Sequence, residues 1–215
     1  TATTEIYTLS LHDALPISFP VFVLTALLPW HWTSTAVTAG TASLVDNAPL
    51  INKVYFPRIL LPISTVLSTG ANYVLGLPAL FLFMALFDRA FTPWLVFVPV
   101  LVVIQAIFLT AVVLILAPLN VYFRDTTVLV DVGLTAWFFM TPIFYSIEWV
   151  VPHLAAWMYR INPMAAIVSE YRVIMYSGGV PDPLFTGRTG VTALVLLAIG
   201  YLVFTRLNRN LGEHL

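Results

Sequence analysis

The stretch Trp94–Leu119 constrains this chain more than any other. It runs for 26 residues and is almost wholly aliphatic, with Gln105 as its one strongly polar group. About 20 apolar residues span the hydrocarbon core of a bilayer, so this run is long enough to cross. Similar segments lie at 19–44, 59–87, 126–145 and 189–204. The chain is only 9% charged against about 25% for a soluble domain. It therefore cannot cover itself with a water-facing surface, and the expected fold is an all-α polytopic transmembrane domain with about five spans. Because lipid offers no hydrogen bonds, the backbone of each span must satisfy itself as a helix.

The composition excludes several functions. A net charge of −1 argues against a nucleic-acid-binding surface. With no cysteines there is no thiol chemistry. His12, His31, His153 and His214 are scattered without ligand spacing, so no metal site is expected. No Gly-rich phosphate loop with the G-x-x-x-x-G-K-[ST] spacing occurs, so the chain does not hold ATP by that route.

Residues 1–18 read differently from the rest. They have mixed polarity and lack the basic start and long apolar core of a signal peptide. The run resembles adapter-derived sequence and is read as a non-native leader, leaving 19–215 as the transmembrane domain. In the first span, Trp30 and Trp32 suit either an interfacial aromatic belt or packing at a kink made by Pro29. The small residues of Thr33–Ser43 favour close helix approach. Between Ser146 and Arg188 lie four prolines, Gly178-Gly179 and apolar runs too short to cross. These fit re-entrant or interfacial helices before the last span.

Lys53, Arg58, Arg124, Arg206 and Arg209 fall on one side of this topology, and Arg89, Arg160, Arg172 and Arg188 on the other. The first group sits in short loops and is placed in the cytoplasm. Its most distinctive stretch is Asn47–Arg58, in which Tyr55 and Phe56 lie between Lys53 and Arg58. Such a segment either meets anionic lipid or grips a partner protein. Asn120–Asp125 forms a second return on that side, suited to capping two spans or touching the partner. Asp131 lies about one and a half turns into its span. It faces protein or water there, unless the span starts later and leaves it interfacial. Trp137, Phe138, Phe139, Phe144 and Tyr145 form an aromatic run that suits either a lipid-facing belt or a sliding surface for sugars. Glu148, Glu170 and Arg172 lie in the external segment. Glu170 and Arg172 are two apart, so on a helix each needs a different partner.

Four stretches carry a family resemblance. They are Leu44–Ile63, Leu119-Asn-Val-Tyr-Phe-Arg-Asp125, Phe139-Met-Thr-Pro-Ile-Phe-Tyr145 and Ile161–Arg172. In order and spacing they resemble ABC-2 type transporter permeases of the polysaccharide branch, which exports O-antigen and teichoic acid. The resemblance covers Phe19 to the end. It implies a six-span permease that works as a homodimer with two separate ATPase subunits, moving a lipid-linked glycan across the bacterial cytoplasmic membrane. ATP and Mg would sit on the ATPase, with no cofactor in this chain. The coupling contact would fall on Asn52, Lys53, Val54, Tyr55, Phe56, Pro57 and Arg58, and the outer gate on Glu148, Glu170 and Arg172. The amphipathic interface helix and first span of the family have no counterpart here. Two other readings remain: an ABC-2 exporter of drugs or small lipids, and an integral-membrane lipid-sugar transferase. The transferase would need clustered acids or histidines at a membrane surface, and the sequence has only isolated ones.

Overall fold

The computed structural model describes residues 19–51, 53, 56–87, 91–145 and 152–208. The leader at 1–18 lies outside the described residues. The described chain is helical, with no strand among the described residues. Helices α1 (Phe19–Asp46), α2 (Ala48–Ile51) and α3 (Leu60–Leu86) come first. A 3-10 turn at Pro93–Phe97 leads into α4 (Val98–Tyr122), followed by α5 (Thr126–Met140). Then come α6 (Pro152–Ile161), α7 (Pro163–Met175) and α8 (Pro183–Asn208).

Among the described residues, three helical stretches are long and apolar enough to cross a membrane: Leu60–Leu86, Pro93–Tyr122 and Pro183–Asn208. α1 is as long, at 28 residues, but its second half is rich in Thr and Ser and faces protein on one side. There Thr33, Ala36, Val37, Gly40, Thr41 and Leu44 are buried. α5 has 15 residues and stops short of the expected 126–145. Pro142 explains the stop. A residue before proline is pushed out of the helical region, and Thr141 has ψ 132°.

α4 is the hub. It runs parallel to α8, and Gly200 is what lets them touch. A Cβ built there would lie 2.6 Å from the Ala111 carbonyl oxygen. It also runs parallel to α1, where Gly40 faces Val113 in the same way. α3 lies antiparallel to α1, with the Trp32 indole over Gly70 and stacked on Tyr73 at 5.0 Å. Trp30 and Trp32 are 6% and 3% exposed, so both belong to the core and not to an interfacial belt. Gln105, in the middle of α4, is buried and donates to the Pro29 carbonyl at 2.8 Å and to the Thr33 hydroxyl at 3.1 Å. It thus bridges α4 to the turn of α1 from Pro29 to Thr33.

At one end of the bundle a small second core forms from Leu44, Leu114, Ala117, Val121 and Phe204. Ile51 and Ile59 pack on it, and the Tyr122 hydroxyl donates to the Leu207 carbonyl at 2.8 Å. This end carries Lys53, Arg58, Arg124 and Arg206 and is called the basic end below. α6 and α7 form a hairpin that enters from the opposite end.

Candidate functional site

The hairpin turns at one residue, Asn162, between Ile161 and Pro163. Asn-Pro is a helix start: the asparagine caps and the proline takes the first helical position, where no N–H is needed. The Asn162 Oδ1 accepts from the Met164 and Ala165 amides at 3.1 and 3.2 Å. The same oxygen accepts from the Trp137 indole N–H at 2.8 Å. Its Nδ2 donates to the Thr141 hydroxyl at 3.1 Å and the Met140 carbonyl at 3.3 Å. One side chain therefore closes the hairpin and fastens it to the end of α5. Trp137 packs edge-on against Trp30, the twelfth of the 28 residues of α1. The tip thus lies roughly 16 Å along α1 from Phe19, at 1.5 Å per residue. That depth makes it re-entrant.

Further out, Arg172 makes a second fastening. Its guanidinium donates to the carbonyls of Pro142, Ile143 and Tyr145 and lies 3.8 Å over the Phe22 ring. Burial lowers its pKa to about 10, so it stays charged at neutral pH. Glu170, two residues away, points elsewhere. It is 4% exposed, and its Oε2 accepts from the Thr186 hydroxyl on α8 at 2.7 Å. The two side chains have separate partners, as their spacing requires. Glu148 lies outside the described residues.

On α1 the residues opposite the buried face form a polar stripe at helical spacing. His31 and Thr38 are exposed, and Ser34 and Thr35 between them are half-buried. Asp131 and Thr135 of α5 lie beside it, and the Asp131 carboxylate accepts from the Thr38 hydroxyl at 3.2 Å. On the α3 side, His31, Thr35, Thr69 and Asn72 line a cavity of about 180 Å³. A carboxyl group and a row of hydroxyls within an apolar span need water or protein beside them.

The aromatic run divides. Trp137 is fixed by Asn162, Trp30 and Phe108, and Phe138 packs on Trp30. Phe139 and Phe144 are 72% and 51% exposed and touch Phe138 edge-on. Tyr145 is half-buried and gives its carbonyl to Arg172.

At the basic end, Asn47 breaks the helix. Its carbonyl accepts from the Leu50 and Ile51 amides at 3.0 Å, forming the four-residue α2, which has no buried residue. Leu50 is 46% exposed. Lys53 and Pro57 are exposed, while Phe56 and Arg58 are half-buried. Asn52, Val54 and Tyr55 lie outside the described residues. Arg124 and Asp125 are exposed in the second return, where Thr126 closes the turn onto the Phe123 carbonyl.

Asn162 and Thr186 were not singled out from sequence. The Asn-Pro pair was a readable cap signal for the first, but nothing marked Thr186 as the partner of Glu170.

The fold defines an all-helical polytopic membrane protein with a re-entrant hairpin folded into one end. Over 209 residues the chain is 34% identical to the O-antigen export system permease protein RfbA of Myxococcus xanthus, covering 97% of this chain and 80% of that protein. It is 28% and 29% identical to two RfbA permeases of Klebsiella pneumoniae, each match covering 91% of this chain and 75% of the relative. No family model matches the chain. The chain belongs to the O-antigen export permeases, a family of ABC-2 type integral membrane transport proteins.

Proposed function

We propose that the chain is the membrane subunit of an ATP-driven exporter that moves a lipid-linked polysaccharide across the bacterial cytoplasmic membrane. Within the family relationship, the observation that carries this reading is the open polar stripe His31, Thr35 and Thr38 beside Asp131 and Thr135. Lipid would penalise such a face, whereas water and a polyhydroxylated chain would not. A second copy of the chain facing this stripe encloses the path. The exposed rings of Phe139 and Phe144 add weakly directional contact along it, with Trp137, Phe138 and Tyr145 behind them.

The basic end is cytoplasmic in this reading, and ATP and Mg bind on a separate ATPase. Lys53, Phe56, Pro57 and Arg58, with Asn52, Val54 and Tyr55, form the surface it grips. The hairpin with Glu170 and Arg172, together with Glu148, forms the outer gate. The test is display of surface glycan in a strain whose own O-antigen permease gene is deleted, with the ATPase supplied. Display should be restored by the chain and reduced by Asp131→Leu at equal membrane levels. Failure of the chain to restore display, or full display with Asp131→Leu, overturns the proposal.

A further inference from the structure

α8 carries an exposed stripe whose head is charged. Val191, Val195, Ile199 and Leu202 are exposed. They stand 3, 7, 11 and 14 residues beyond Arg188, which is exposed too, so all five share one helix face. Arg206, at the basic end, closes the uncharged segment that begins after Arg188. The two arginines lie roughly 27 Å apart along the helix at 1.5 Å per residue. A hydrocarbon core is about 30 Å thick, so with Arg206 at one boundary Arg188 stands at the other.

α6 brings a second cation to this place. Arg188 donates to the Tyr159 carbonyl at 3.0 Å, and with the exposed Arg160 it lines a notch of about 10 Å³. Each guanidinium lies by an aromatic ring, Arg160 at 5.8 Å from Trp157 and Arg188 at 5.9 Å from Phe185. Neither meets an acid among the described residues. Glu170 takes the Thr186 hydroxyl, and the Asp182 carboxylate takes the Leu184 amide. An arginine has five N–H donors, so the pair keeps most of its ten for something outside the described chain. We propose that Arg160 and Arg188 hold the phosphate of an anionic phospholipid in the leaflet opposite the basic end, with an acyl chain lying along the exposed stripe of α8.

Three features select that ligand. The notch has room for about one water-sized atom, which suits a phosphate oxygen between two guanidinium groups. The Thr189 and Thr192 hydroxyls on its wall donate to carbonyls of their own helix, so the donors left facing it are cationic. Two cations with no acid beside them favour a headgroup of net negative charge over one that adds a trimethylammonium. The apolar stripe continues from Arg188 along the same face, as a phosphate joined to acyl chains requires and a free phosphate does not. Trp157, exposed one turn before Arg160, suits the same boundary. α8 packs chiefly on α4 and α7 and not on α5 among the described residues, so this pair is separate from the polar stripe of α1 and α5.

The experiment uses the full chain in nanodiscs of phosphatidylcholine containing a minor fraction of phosphatidylglycerol with a diazirine on its headgroup. After irradiation, lipid adducts are mapped by peptide mass spectrometry. Adducts should form at residues 157–163 and 188–192, and unlabelled phosphatidylglycerol should displace them where added phosphatidylcholine does not. Arg160→Gln and Arg188→Gln should each lower the yield there about fivefold, the effect of one basic side chain at an anionic surface. Adducts at the basic end should be unchanged and serve as the internal reference. Arg160 makes no hydrogen bond among the described residues, so Arg160→Gln keeps the test if Arg188→Gln does not fold. Four results overturn the site: no adduct at these residues, an unchanged yield in folded Arg160→Gln, equal displacement by phosphatidylcholine, or displacement only by inorganic phosphate or a polyprenyl diphosphate.

Discussion

Asn162 offers the most quantitative test of the hairpin. Asn162→Ala removes the cap of α7, a loss of about 1 kcal/mol. It also strands the buried Trp137 indole N–H and leaves the Thr141 hydroxyl and Met140 carbonyl without their donor. Each stranded buried group costs about 1–3 kcal/mol. Because Thr141 also donates to the Trp137 carbonyl at 2.9 Å, only the indole is counted fully, and the total is about 3 kcal/mol. For a chain of this size 1 kcal/mol moves a melting midpoint by about 2–4 °C, so the shift should be about 6–12 °C downward. Hydrogen exchange in nanodiscs supplies the local readout, since the Met164 and Ala165 amides lose their acceptor and should exchange faster. Asn162→Asp keeps the capping oxygen but replaces the Nδ2 donor with a second acceptor facing Met140. It should protect the two amides and still lower the midpoint. A shift under about 2 °C in Asn162→Ala, with unchanged exchange at 164–165, would refute the assignment of Asn162 as the fastening of the hairpin.

Gly200→Val should separate α8 from α4, because its Cβ would meet the Ala111 backbone and not a movable side chain. Overpacking of this kind costs about 1–3 kcal/mol, read as a lower midpoint and loss of a disulfide engineered across the two helices. Gly40→Ala should cost less, since what it meets is the Val113 side chain. Glu170 sets a pH dependence: its folded pKa is raised from the ordinary 4.5, by burial first. The folded state then binds the proton more tightly, and stability should increase as pH is lowered from neutral towards 4.5, with Glu170→Gln flattening that slope. The double substitution Tyr55→Ala with Phe56→Ala should insert normally but weaken ATPase co-purification. Truncating a buried interface aromatic costs more than about 2 kcal/mol, or roughly 30-fold in affinity. Arg58→Ala should matter less if its partner is exposed, as such pairs contribute about 0–1 kcal/mol. Full ATPase binding by the double variant would place the coupling contact elsewhere.

Hydropathy alone made the helical membrane fold legible, because a run such as Trp94–Leu119 has few other ways to exist. The re-entrant segment was legible too, from apolar runs too short to cross, set among prolines. The Trp30 and Trp32 positions were not. An aromatic pair near a proline fits a belt or a core equally well, and Gly70 across the helix pair decides for the core by leaving room for Trp32. The end of α5 shows a similar limit. Apolarity continues from Met140 to Tyr145, but the proline at 142 overrides it. The polar stripe of α1 was hidden among residues read only as small. Thr33 and Gly40 are buried while Thr35 is half-buried and Thr38 exposed, and that division emerges only once the neighbours of α1 are placed. Spacing correctly separated Glu170 from Arg172, but their partners lie on α8 and in the turn after α5, which no local pattern connects.

The two fastenings at residues 140–145 have a mechanical consequence. Asn162 and Arg172 tie both the tip and the rim of the hairpin to the far terminus of α5, while along its length the helix packs chiefly against α1 and α4 among the described residues. Its near terminus is the turn at the basic end, where Phe123, Arg124 and Asp125 are exposed and Thr126 is buried. α5 is therefore a strut of about 22 Å, at 1.5 Å per residue, gripped firmly at one end and lightly along its length. A push of an ångström or two on that turn travels as axial displacement, and the hairpin moves with it as cargo instead of unzipping.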